Sequence, residues 1–507
     1  MKTIPEIANF FNDNKIFIIS ENRPFFTFAD IKKQINWIKV FFKNQKILKT
    51  DTVAIVLENG PEMASCFLSV ASNCCAAPLN PSYTKFEFNY YLNDLKPKAI
   101  IISENSNSSI INVARKNMIR IFKLSYNSSD VSGKFILKSE KSYTDISNGK
   151  NVLISPKDIA LILHTSGTTS KPKMVPLSHL NLCASAKNIV KTLNLKRNDR
   201  CINIMPLFHI HGIVCLLISS LFSGSSIFTS SGFNALKFFP WMKRFSPTWF
   251  SAVPTMHQAI LSRASKNLKI IENSKLRFIR SSSSALPPKT MNEIEKTFQC
   301  PLIESYGMTE ASHQMTSNHL PPGKRKSSKV GFSAGPEVQI MGKNFKILKK
   351  ENIGEIVIKG ENVTKGYKNN IKANNSSYVN GWFRTGDQGF FDKEGFLQLT
   401  GRIKEIINKG GEKISPLEID NAIMEHRSIF QGISFPIYHS KLGEEIAAAV
   451  ILKKDHKLTA QKLKNFLSNK LSSFKIPQKI IFLDEIPKGK TGKLQRIGLA
   501  KKLGLEK

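Results

Sequence analysis

The sequence predicts an α/β fold with a large N-terminal domain of α/β subdomains plus a β-rich subdomain, followed by a small mobile α+β C-terminal domain. Up to about residue 330, short apolar runs alternate with segments of helical periodicity, which is typical of parallel strands covered by helices. Beyond that point, glycine turns separate strand-like runs, as in antiparallel hairpins. The 507 residues are enough for more than one domain. We expect the two domains to span 1–401 and 402–507.

Seven apolar runs are predicted to be buried strands of the first part of the chain. They are 51–58, 97–103, 158–164, 199–205, 248–253, 275–281 and 300–305. Helices are predicted between several of them, for example over 61–72 and 180–193. In such folds, ligands bind beyond the carboxyl ends of the strands. The loop predicted over 165–177 and the segment 305–310 both follow a strand, so we expect them to lie at a ligand site.

The later part of the chain has two further patterns. The runs "GEIVIKG" and "GFFDKEGFLQLTG" predict hairpins of the β-rich subdomain. In the C-terminal domain, Ser415, Pro416 and Glu418 have the pattern of a helix start, with an N-cap, a proline at the first helical position and a carboxylate three residues after the cap. The predicted elements of that domain are a helix over 416–426, a strand over 446–452, a helix over 459–471 and a strand over 479–483.

The net charge of +36 points first to a nucleic-acid partner. The lysines are spread along the whole chain, however, and no RNP-type aromatic motif or helix-turn-helix pattern is present. Lysine, asparagine, isoleucine and serine are abundant from end to end, as a compositional bias of the genome would produce. We therefore expect no specific nucleic-acid partner.

The sequence also indicates the compartment. No segment has the features of a signal peptide, and the longest apolar stretch, 212–222, is too short to span a bilayer. The seven cysteines form no CxxC pair, and the adjacent Cys74 and Cys75 suit neither an ordinary disulfide nor a zinc site. Reduced, buried thiols are expected. These features predict a cytoplasmic protein without a membrane span.

The segment "LILHTSGTTSKPKMVPLSH" (161–179) has the pattern of a phosphate-binding loop. An apolar strand opens into six small or hydroxylated residues, and two lysines follow. Hydroxyl groups, together with a backbone that glycine leaves open, can surround phosphate oxygens, and lysine adds a positive charge. The spelling differs from the P-loop, which ends Gly-Lys-Ser/Thr at the start of a helix.

Four further segments accompany this loop: "ESYGMTE", "GWFRTGD", "GRIKEIINKGGEKISPLEI" and "PKGKTGKLQR". In this order and at these separations, the five resemble the motifs of the adenylate-forming superfamily, which comprises acyl-CoA synthetases, luciferases and peptide-synthetase adenylation domains. The resemblance covers nearly the whole chain. It implies that a carboxylate attacks the α-phosphate of ATP to give an acyl-adenylate and pyrophosphate, after which the thiol of coenzyme A displaces AMP.

The resemblance also implies the residues that bind the nucleotide. The β- and γ-phosphates are assigned to Thr165, Ser166, Gly167, Thr168, Thr169 and Lys173. The adenine is assigned to Tyr306, Ser284 and Ala285, and the ribose to Asp387 with Arg402 beside it. Thr309 is assigned to the α-phosphate and Glu310 to Mg²⁺, and a hard cation that bridges phosphate oxygens does prefer a carboxylate ligand.

Three features of the C-terminal domain follow from the same resemblance. Lys493 matches the catalytic lysine of the superfamily, a mobile cation that can neutralise charge as it develops on the carboxylate and the α-phosphate. Lys404 matches the hinge about which the small domain rotates between the two half-reactions. Lys409, Gly410 and Gly411 are expected to line the channel for the pantetheine arm of coenzyme A.

Segments outside the shared motifs resemble those of oxalate–CoA ligases. They are 206–212, 248–258, 276–288 and 308–318. In the family these segments border the acyl pocket, and here they offer His209, His211, Ser283 and His313. An enzyme for a fatty acid or coumarate is expected to have an apolar tunnel there, whereas the second carboxylate of a dicarboxylate needs hydrogen-bond donors. We therefore expect oxalate as the substrate, with either His209 or His211 facing the pocket; the alternative is that these histidines are ordinary core residues.

Several alternatives stay open at this point. A CoA ligase for another small, medium-chain or aromatic carboxylate would have the same motifs, and so would a luciferase-like oxygenase. A peptide-synthetase adenylation module would normally be followed by a carrier domain, whereas this sequence ends at Lys507. A basic nucleic-acid-binding protein is the alternative outside the enzymes. Pyrophosphate release that depends on ATP and a carboxylate would separate it from all the enzymes.

Overall fold

The computed structural model of the chain describes residues 1–11, 13–140, 153–165, 172–489 and 493–506. Within them the α-helices are α1 Ile4–Phe10, α2 Phe28–Asn44, α3 Pro61–Ala71, α4 Lys85–Leu95, α5 Ile110–Lys116, α6 His179–Thr192, α7 Ser219–Ser223, α8 Phe238–Phe245, α9 Pro254–Ala264, α10 Leu268–Glu272, α11 Pro288–Phe298, α12 Ile371–Ser377, α13 Pro416–Met424, α14 Ala460–Ser468 and α15 Leu499–Lys502. A π-helix covers His211–Ile218, and 3₁₀ helices cover Ser265–Asn267, Thr309–Ala311, Ile403–Glu405 and Ser473–Lys475.

The strands in the same residues are distributed over the whole chain. They are β1 Ile16–Ile19, β2 Phe26–Thr27, β3 Thr52–Val56, β4 Cys75–Pro78, β5 Ala99–Ser103, β6 Arg120–Ser125, β7 Ile136–Ser139, β8 Ile159–His164, β9 Met174–Ser178, β10 Arg200–Asn203, β11 Ser226–Thr229, β12 Trp249–Ala252, β13 Phe278–Ser281, β14 Leu302–Met308, β15 His313–Ser317, β16 Phe332–Ser333, β17 Glu337–Met341, β18 Gly354–Lys359, β19 Tyr378–Val379, β20 Trp382–Phe391, β21 Leu397–Arg402, β22 Ile407–Lys409, β23 Glu412–Ile414, β24 Ile429–His439, β25 Gly443–Leu452 and β26 Lys479–Phe482.

Two large sheets with parallel centres form most of the N-terminal domain. Within the described residues, one has nine strands in the order β16-β15-β14-β13-β12-β10-β11-β1-β2, and the other has seven in the order β7-β6-β5-β3-β4-β8-β9. Antiparallel strands occur only at their edges, in the pairs β1–β2, β14–β15, β15–β16, β6–β7 and β8–β9. The central strands β3, β12 and β13 are buried throughout, as expected where helices cover both faces of a parallel sheet.

Two smaller sheets follow along the chain. In the third sheet β17, β18, β20 and β19 lie side by side, and β21 also pairs with β20. The fourth sheet has the order β23-β22-β25-β24, with β26 parallel to β25. The chain passes from the third sheet to the fourth through the short 3₁₀ helix Ile403–Glu405. The fold is therefore mixed α/β, with a large N-terminal domain and a smaller, β-rich C-terminal domain.

Most of the elements expected from the sequence are present. The seven predicted strands form β3, β5, β8, β10, β12, β13 and β14, and the two predicted helices form α3 and α6. The loop predicted over 165–177 is wrong for its last residues, because β9 begins at Met174 and pairs antiparallel with β8. This pairing satisfies backbone groups that a loop would leave to water.

The helix start predicted at Ser415 has the correct position, but the predicted side-chain cap is wrong. Helix α13 begins at Pro416, but the Ser415 hydroxyl donates to the Thr400 carbonyl oxygen and makes no cap bond. The Glu418 carboxylate lies 2.7 Å from the Lys475 ammonium. Contacts between distant segments thus replace the local capping pattern. The helices α13 and α14 are also shorter than predicted, which is the usual uncertainty at helix ends.

All seven cysteines are buried and unpaired, as expected. Burial raises the pKa of each thiol. None of the helices in the described part of the chain combines the length and the apolarity that crossing a bilayer requires.

Candidate active site

Glu310, Tyr367 and Lys173 form a cluster of side chains from three separate parts of the chain. Glu310 lies in the 3₁₀ helix after β14, and only 6% of it is exposed. The Tyr367 hydroxyl donates to Glu310 Oε1 at 2.8 Å, and the Lys173 ammonium lies 4.5 Å from the centre of the Tyr367 ring. Burial raises the pKa of Glu310, an effect that the Tyr367 hydrogen bond and the charge of Lys173 oppose. A buried carboxylate beside a lysine is suited to hold a hard cation together with phosphate oxygens.

Tyr306, Asp387 and Arg402 form a second cluster. The Tyr306 hydroxyl donates to Asp387 Oδ2 at 2.5 Å, and Arg402 Nε lies 3.1 Å from Asp387 Oδ1. Asp387 and Arg402 are register partners in the β20–β21 hairpin, which explains why their side chains meet. The charge of Asp387 raises the pKa of Arg402. The structure thus brings together three of the residues that the sequence assigned to adenosine.

Two other expected adenine contacts, Ser284 and Ala285, lie after the carboxyl end of β13. Both are exposed. The residue before them, Ser283, has a φ of 75°, a left-handed conformation that is uncommon for residues other than glycine. This backbone geometry turns the chain at the end of the strand, where ligands of parallel sheets bind.

Thr165 and Lys173 close the base of the expected phosphate loop. The Thr165 backbone N–H donates to the Lys173 carbonyl at 2.9 Å, and the Lys173 N–H donates to Thr165 Oγ1 at 3.1 Å. These bonds continue the β8–β9 ladder to the point where the loop begins. The other loop residues assigned from the sequence, Ser166, Gly167, Thr168 and Thr169, lie outside the described residues. Thr309 is partly buried next to Glu310.

The histidines predicted from the acyl-pocket segments lie close together. The rings of His211 and His313 are 4.9 Å apart, and both residues are buried. His211 Nδ1 and Ser283 Oγ are 3.1 Å apart. His209 is only partly buried, and its Nδ1 accepts from the His211 backbone N–H at 3.2 Å. We refer to His209, His211 and His313 as the pocket histidines.

The surroundings of the pocket histidines favour their neutral form. Burial lowers the pKa of all three, that of His209 to about 3, and the positive charge of Lys493 adds to the effect. Each neutral ring therefore has one N–H donor and one acceptor. His313 Nδ1 is buried and has no hydrogen-bond partner within the described residues. Such an atom is uncommon in a folded protein and marks a place where a polar ligand group would be stabilised.

The β14–β15 hairpin explains why His313 lies in the pocket. A Cβ atom on Gly307 would lie 1.6 Å from the His313 carbonyl oxygen, so the two strands can approach this closely only with glycine at that position. His313 itself has a φ of 101°, which is sterically unfavourable for a residue with a side chain. The hairpin therefore holds the imidazole in a conformation that the isolated segment would not prefer.

The ligand atoms of His211, Cys215 and His313 lie within 4.8 Å of one another, a spacing that a metal ion could use. The charges around them argue against a cation, however. The buried guanidinium of Arg280 interacts with the Cys215 thiol and lowers the pKa of both histidines. A positive charge so close disfavours a second cation, and the site is better suited to an anion.

Lys493 connects the histidines with the nucleotide clusters. It is partly buried, and its backbone carbonyl accepts from the Gly489 N–H at 2.7 Å. Its charge interacts with Arg402 and Asp387, and it also acts on the pocket histidines. The smaller domain thus places this lysine within electrostatic range of both groups.

If Lys493 has the role that the resemblance implies, ATP-dependent pyrophosphate release is expected to slow as the pH rises through about 8. Burial and the neighbouring charge of Arg402 lower the pKa of Lys493 to about 8, so its ammonium is present below that pH and lost above it. The pH profile of kcat/KM for pyrophosphate release reports groups of the free enzyme and measures this effect. In Lys493→Arg the falling limb should move to higher pH, because guanidinium stays charged. An unmoved limb in that variant would assign the titration to another group.

The other residues predicted for the smaller domain lie near the domain junction and in a hairpin. Lys404 is exposed in the 3₁₀ helix between the third and fourth sheets. Gly410 and Gly411 form the two-residue turn of the β22–β23 hairpin, with φ of 59° and 98°, values that such tight turns require and glycine tolerates. The Lys409 ammonium lies 2.6 Å from the Glu445 carboxylate.

Three residues of the site were not predicted from the sequence. Tyr367 bonds to Glu310 across 57 positions of the chain, and no motif marks it. Ser251 and Arg280 lie on the buried strands β12 and β13 beside His211. The one available signal was Arg280 within the otherwise apolar or hydroxylated run "FIRSSSS", since a charge on a buried strand is rare.

The site lies where strands β8, β13 and β14 end and where the β20–β21 hairpin meets them, and the smaller domain adds Lys493. This arrangement is typical of an enzyme that activates carboxylates with ATP. Comparison with known families agrees. The family model described as AMP-binding enzyme matches residues 7–368, and the AMP-binding enzyme C-terminal domain matches 418–493. The chain belongs to the AMP-binding enzymes. It is an AMP-forming acyl-CoA synthetase, a class that uses ATP and coenzyme A.

Three known proteins show how similar the chain is to individual members. It is 42% identical to an oxalate–CoA ligase of Saccharomyces cerevisiae over 513 residues, which covers 96% of this chain and 94% of that protein. It is 42% identical to an oxalate–CoA ligase of Arabidopsis thaliana over 450 residues, which covers 88% and 87%. The crystal structure of ATP-bound MatB from Rhodopseudomonas palustris superimposes with a TM-score of 0.86 at 25% identity, covering 99% of this chain and 98% of that one.

Proposed function

We propose that the chain is an oxalate–CoA ligase. The observation that carries the proposal is the group formed by the buried His211 and His313 and the partly buried Ser283, which offers hydrogen-bonding atoms where an enzyme for a hydrocarbon acid would have an apolar wall. The identity of 42% with two oxalate–CoA ligases over most of the chain supports it.

The charge of the substrate explains why such a pocket is needed. When one carboxylate of oxalate faces the α-phosphate of ATP, the other stays ionised, and burying it without partners would cost several kcal/mol. The N–H of His313 and the Ser283 hydroxyl can donate to it. We favour His211 over His209 as the third member, because it is the one that bonds to Ser283.

The nucleotide roles follow from the two side-chain clusters. Asp387 is assigned to the ribose hydroxyls and Tyr306 to the adenine, and their mutual hydrogen bond keeps both side chains in place. Mg²⁺ would be held by Glu310 together with phosphate oxygens, and it would supply positive charge against the phosphates. Lys493, carried by the smaller domain that we assign to 402–507, stabilises the negative charge on the carboxylate and the α-phosphate during attack.

A substrate panel tests the proposal. With oxalate, malonate, acetate, octanoate and coumarate compared by kcat/KM for AMP formation in the presence of coenzyme A, oxalate should be the best substrate. A preference for octanoate or coumarate would reject oxalate and leave the CoA-ligase activity intact.

In the same panel, His313→Ala should lower kcat/KM for oxalate by about 1–3 kcal/mol of transition-state binding, that is roughly 5- to 150-fold, because it removes a donor to a charged group. The loss with acetate should be much smaller. His319→Ala, which removes an exposed histidine just beyond the segment 308–318, is the control and should leave both rates unchanged. An equal loss with oxalate and acetate in His313→Ala would mean that His313 supports the fold and not the distal carboxylate.

A further inference from the structure

Arg280 is a buried arginine whose charge has no carboxylate partner among the residues that the structure describes. It lies in β13, and none of its surface is exposed. Its Nη2 donates to Gln314 Oε1 at 3.2 Å and its Nη1 to Ser251 Oγ at 3.4 Å, while its Nε has no hydrogen-bond partner within the described residues. In that part of the chain, no carboxylate contributes to its charge environment, and the one acidic group that does is the Cys215 thiol, which burial keeps protonated by raising its pKa. A buried charge without compensation is strongly destabilising, so its presence calls for a ligand of opposite charge.

Gln314 fixes the position of the guanidinium before any ligand binds. Its Nε2 donates to Thr192 Oγ1 at 3.1 Å and to the Ala334 carbonyl at 3.0 Å. The amide oxygen must therefore face Arg280. The Arg280 backbone carbonyl is also engaged, because it lies 3.2 Å from His257 Nε2. The charge is thus preorganised, which reduces the free-energy cost of ordering it on binding.

The guanidinium also begins a hydrogen-bond chain that ends in the pocket. Arginine can only donate, so Ser251 Oγ accepts from it and keeps its own hydrogen for a second partner. In the His211 tautomer with the proton on Nδ1, the Ser251 hydroxyl donates to His211 Nε2 at 2.7 Å. That N–H donates to Ser283 Oγ at 3.1 Å. The Ser283 hydroxyl hydrogen is left available for an acceptor in the pocket.

The other charges near the histidines are positive as well. Lys493 and Arg280 both act on His211 and His313, and no acidic group contributes to the pKa shift of either ring. A pocket with this charge binds an anionic group better than a neutral group of the same shape.

We propose that Arg280 is the positioning residue that makes the pocket selective for a substrate with a second carboxylate. It supplies positive charge next to His211 and His313, and it orients the Ser251–His211–Ser283 chain so that Ser283 donates to the distal carboxylate. It acts through these side chains and does not itself touch the substrate. The inference rests on the proposed function in that it requires a dicarboxylate at this site.

Oxalate and oxamate are the probes that test this role. In oxamate an uncharged amide replaces the second carboxylate at nearly the same size. AMP formation is measured with both acids for the wild type, Arg280→Met, Arg280→Lys and Ser251→Ala. Arg200→Met is the matched control, because Arg200 is a half-buried arginine at the start of β10 whose guanidinium bonds only to Ser226 and the Phe245 carbonyl within the described residues. Thermal unfolding reports whether each variant is folded.

Arg280→Met should lower kcat/KM for oxalate by about 10²-fold, mostly through a higher KM, because the buried charge acts on the bound ground state and the transition state alike. The loss with oxamate should be several-fold at most. With oxalate, kcat/KM of Arg280→Lys should be about tenfold higher than that of Arg280→Met, because lysine keeps the positive charge but lacks the planar guanidinium. Ser251→Ala should lower the oxalate-to-oxamate ratio by about tenfold, because the direction of the chain is no longer fixed. Arg200→Met should keep the wild-type ratio.

The proposal is overturned if folded Arg280→Met keeps the oxalate preference, or if it lowers kcat for both acids equally. If that variant does not fold, an unchanged ratio in Ser251→Ala overturns it. Malonate and its monoamide separate this inference from the choice of oxalate. If the wild type prefers malonate to oxalate, oxalate is rejected as the substrate. If Arg280→Met then abolishes the preference for malonate over its monoamide, the role of Arg280 is supported.

Discussion

Lys493→Ala is expected to slow acyl-adenylate formation by about 10²-fold or more, the scale for removal of an electrostatic stabiliser from an active site. Thioester formation from preformed acyl-adenylate should be largely retained. The reason is the position of Lys493, whose charge acts at once on the pocket histidines and on the Asp387–Arg402 pair. A cation there can stabilise both the attacking carboxylate and the α-phosphate in the first half-reaction. In the second half-reaction, in which AMP is the leaving group, neither of these groups needs the cation.

The two half-reactions are measured separately, as pyrophosphate release from ATP and as thioester formation from synthetic acyl-adenylate and coenzyme A. Lys488→Ala is the matched control, because Lys488 is an exposed lysine of the same hairpin that pairs with Leu494. It should leave both half-reactions unchanged. An equal loss of both in Lys493→Ala would refute the assignment of this lysine to the first step.

Lys404→Pro is expected to reduce thioester formation by about 10²-fold while sparing adenylation, if residue 404 is the hinge of the smaller domain. Lys404 is exposed and is the second residue of a 3₁₀ helix, so its N–H has no partner inside that helix and proline removes no bond there. Proline also fixes φ near the value that a 3₁₀ helix already has. The substitution should therefore lock the arrangement in which Lys493 reaches the site.

Few hydrogen bonds in the described part of the chain oppose a rotation about this point. Across the junction, the Ser415 hydroxyl donates to the Thr400 carbonyl, Gln431 Nε2 donates to Gln258 Oε1 at 2.9 Å, and Lys289 Nζ donates to the His426 carbonyl at 3.4 Å. Lys404→Ala is the control, since it removes the same charge and leaves φ free. Normal thioester kinetics in Lys404→Pro, or the same defect in Lys404→Ala, would count against a hinge at this residue.

The sequence was a good guide where the signal was local. Buried runs such as 248–253 predicted strands because burial on both faces leaves a continuous apolar stretch. The meeting of Asp387 with Arg402 and of His211 with Ser283 followed from motifs that a known family shares.

The sequence was a poor guide where a residue acts through a distant partner. Ser415 has the spelling of an N-cap, yet its hydroxyl bonds to Thr400 because the β21 strand passes beside it. Tyr367 has no local feature that marks it, and a charge within an apolar run marks Arg280 without assigning it a role. Their importance comes from Glu310 and from the pocket histidines, which are brought near only by the folded sheets. Pattern and propensity do not report such long-range contacts.

The burial of every cysteine has a practical consequence for observing the smaller domain in motion. Alkylating probes react with accessible thiolates, and here all seven thiols are enclosed and hold their protons more tightly than a free cysteine does. A pair of cysteines placed on exposed positions of the two domains, such as Phe86 and Tyr438, would thus take up fluorophores selectively in the otherwise native chain. Energy transfer between the two dyes would then follow the separation of the domains during turnover, without any of the natural cysteines having to be removed first.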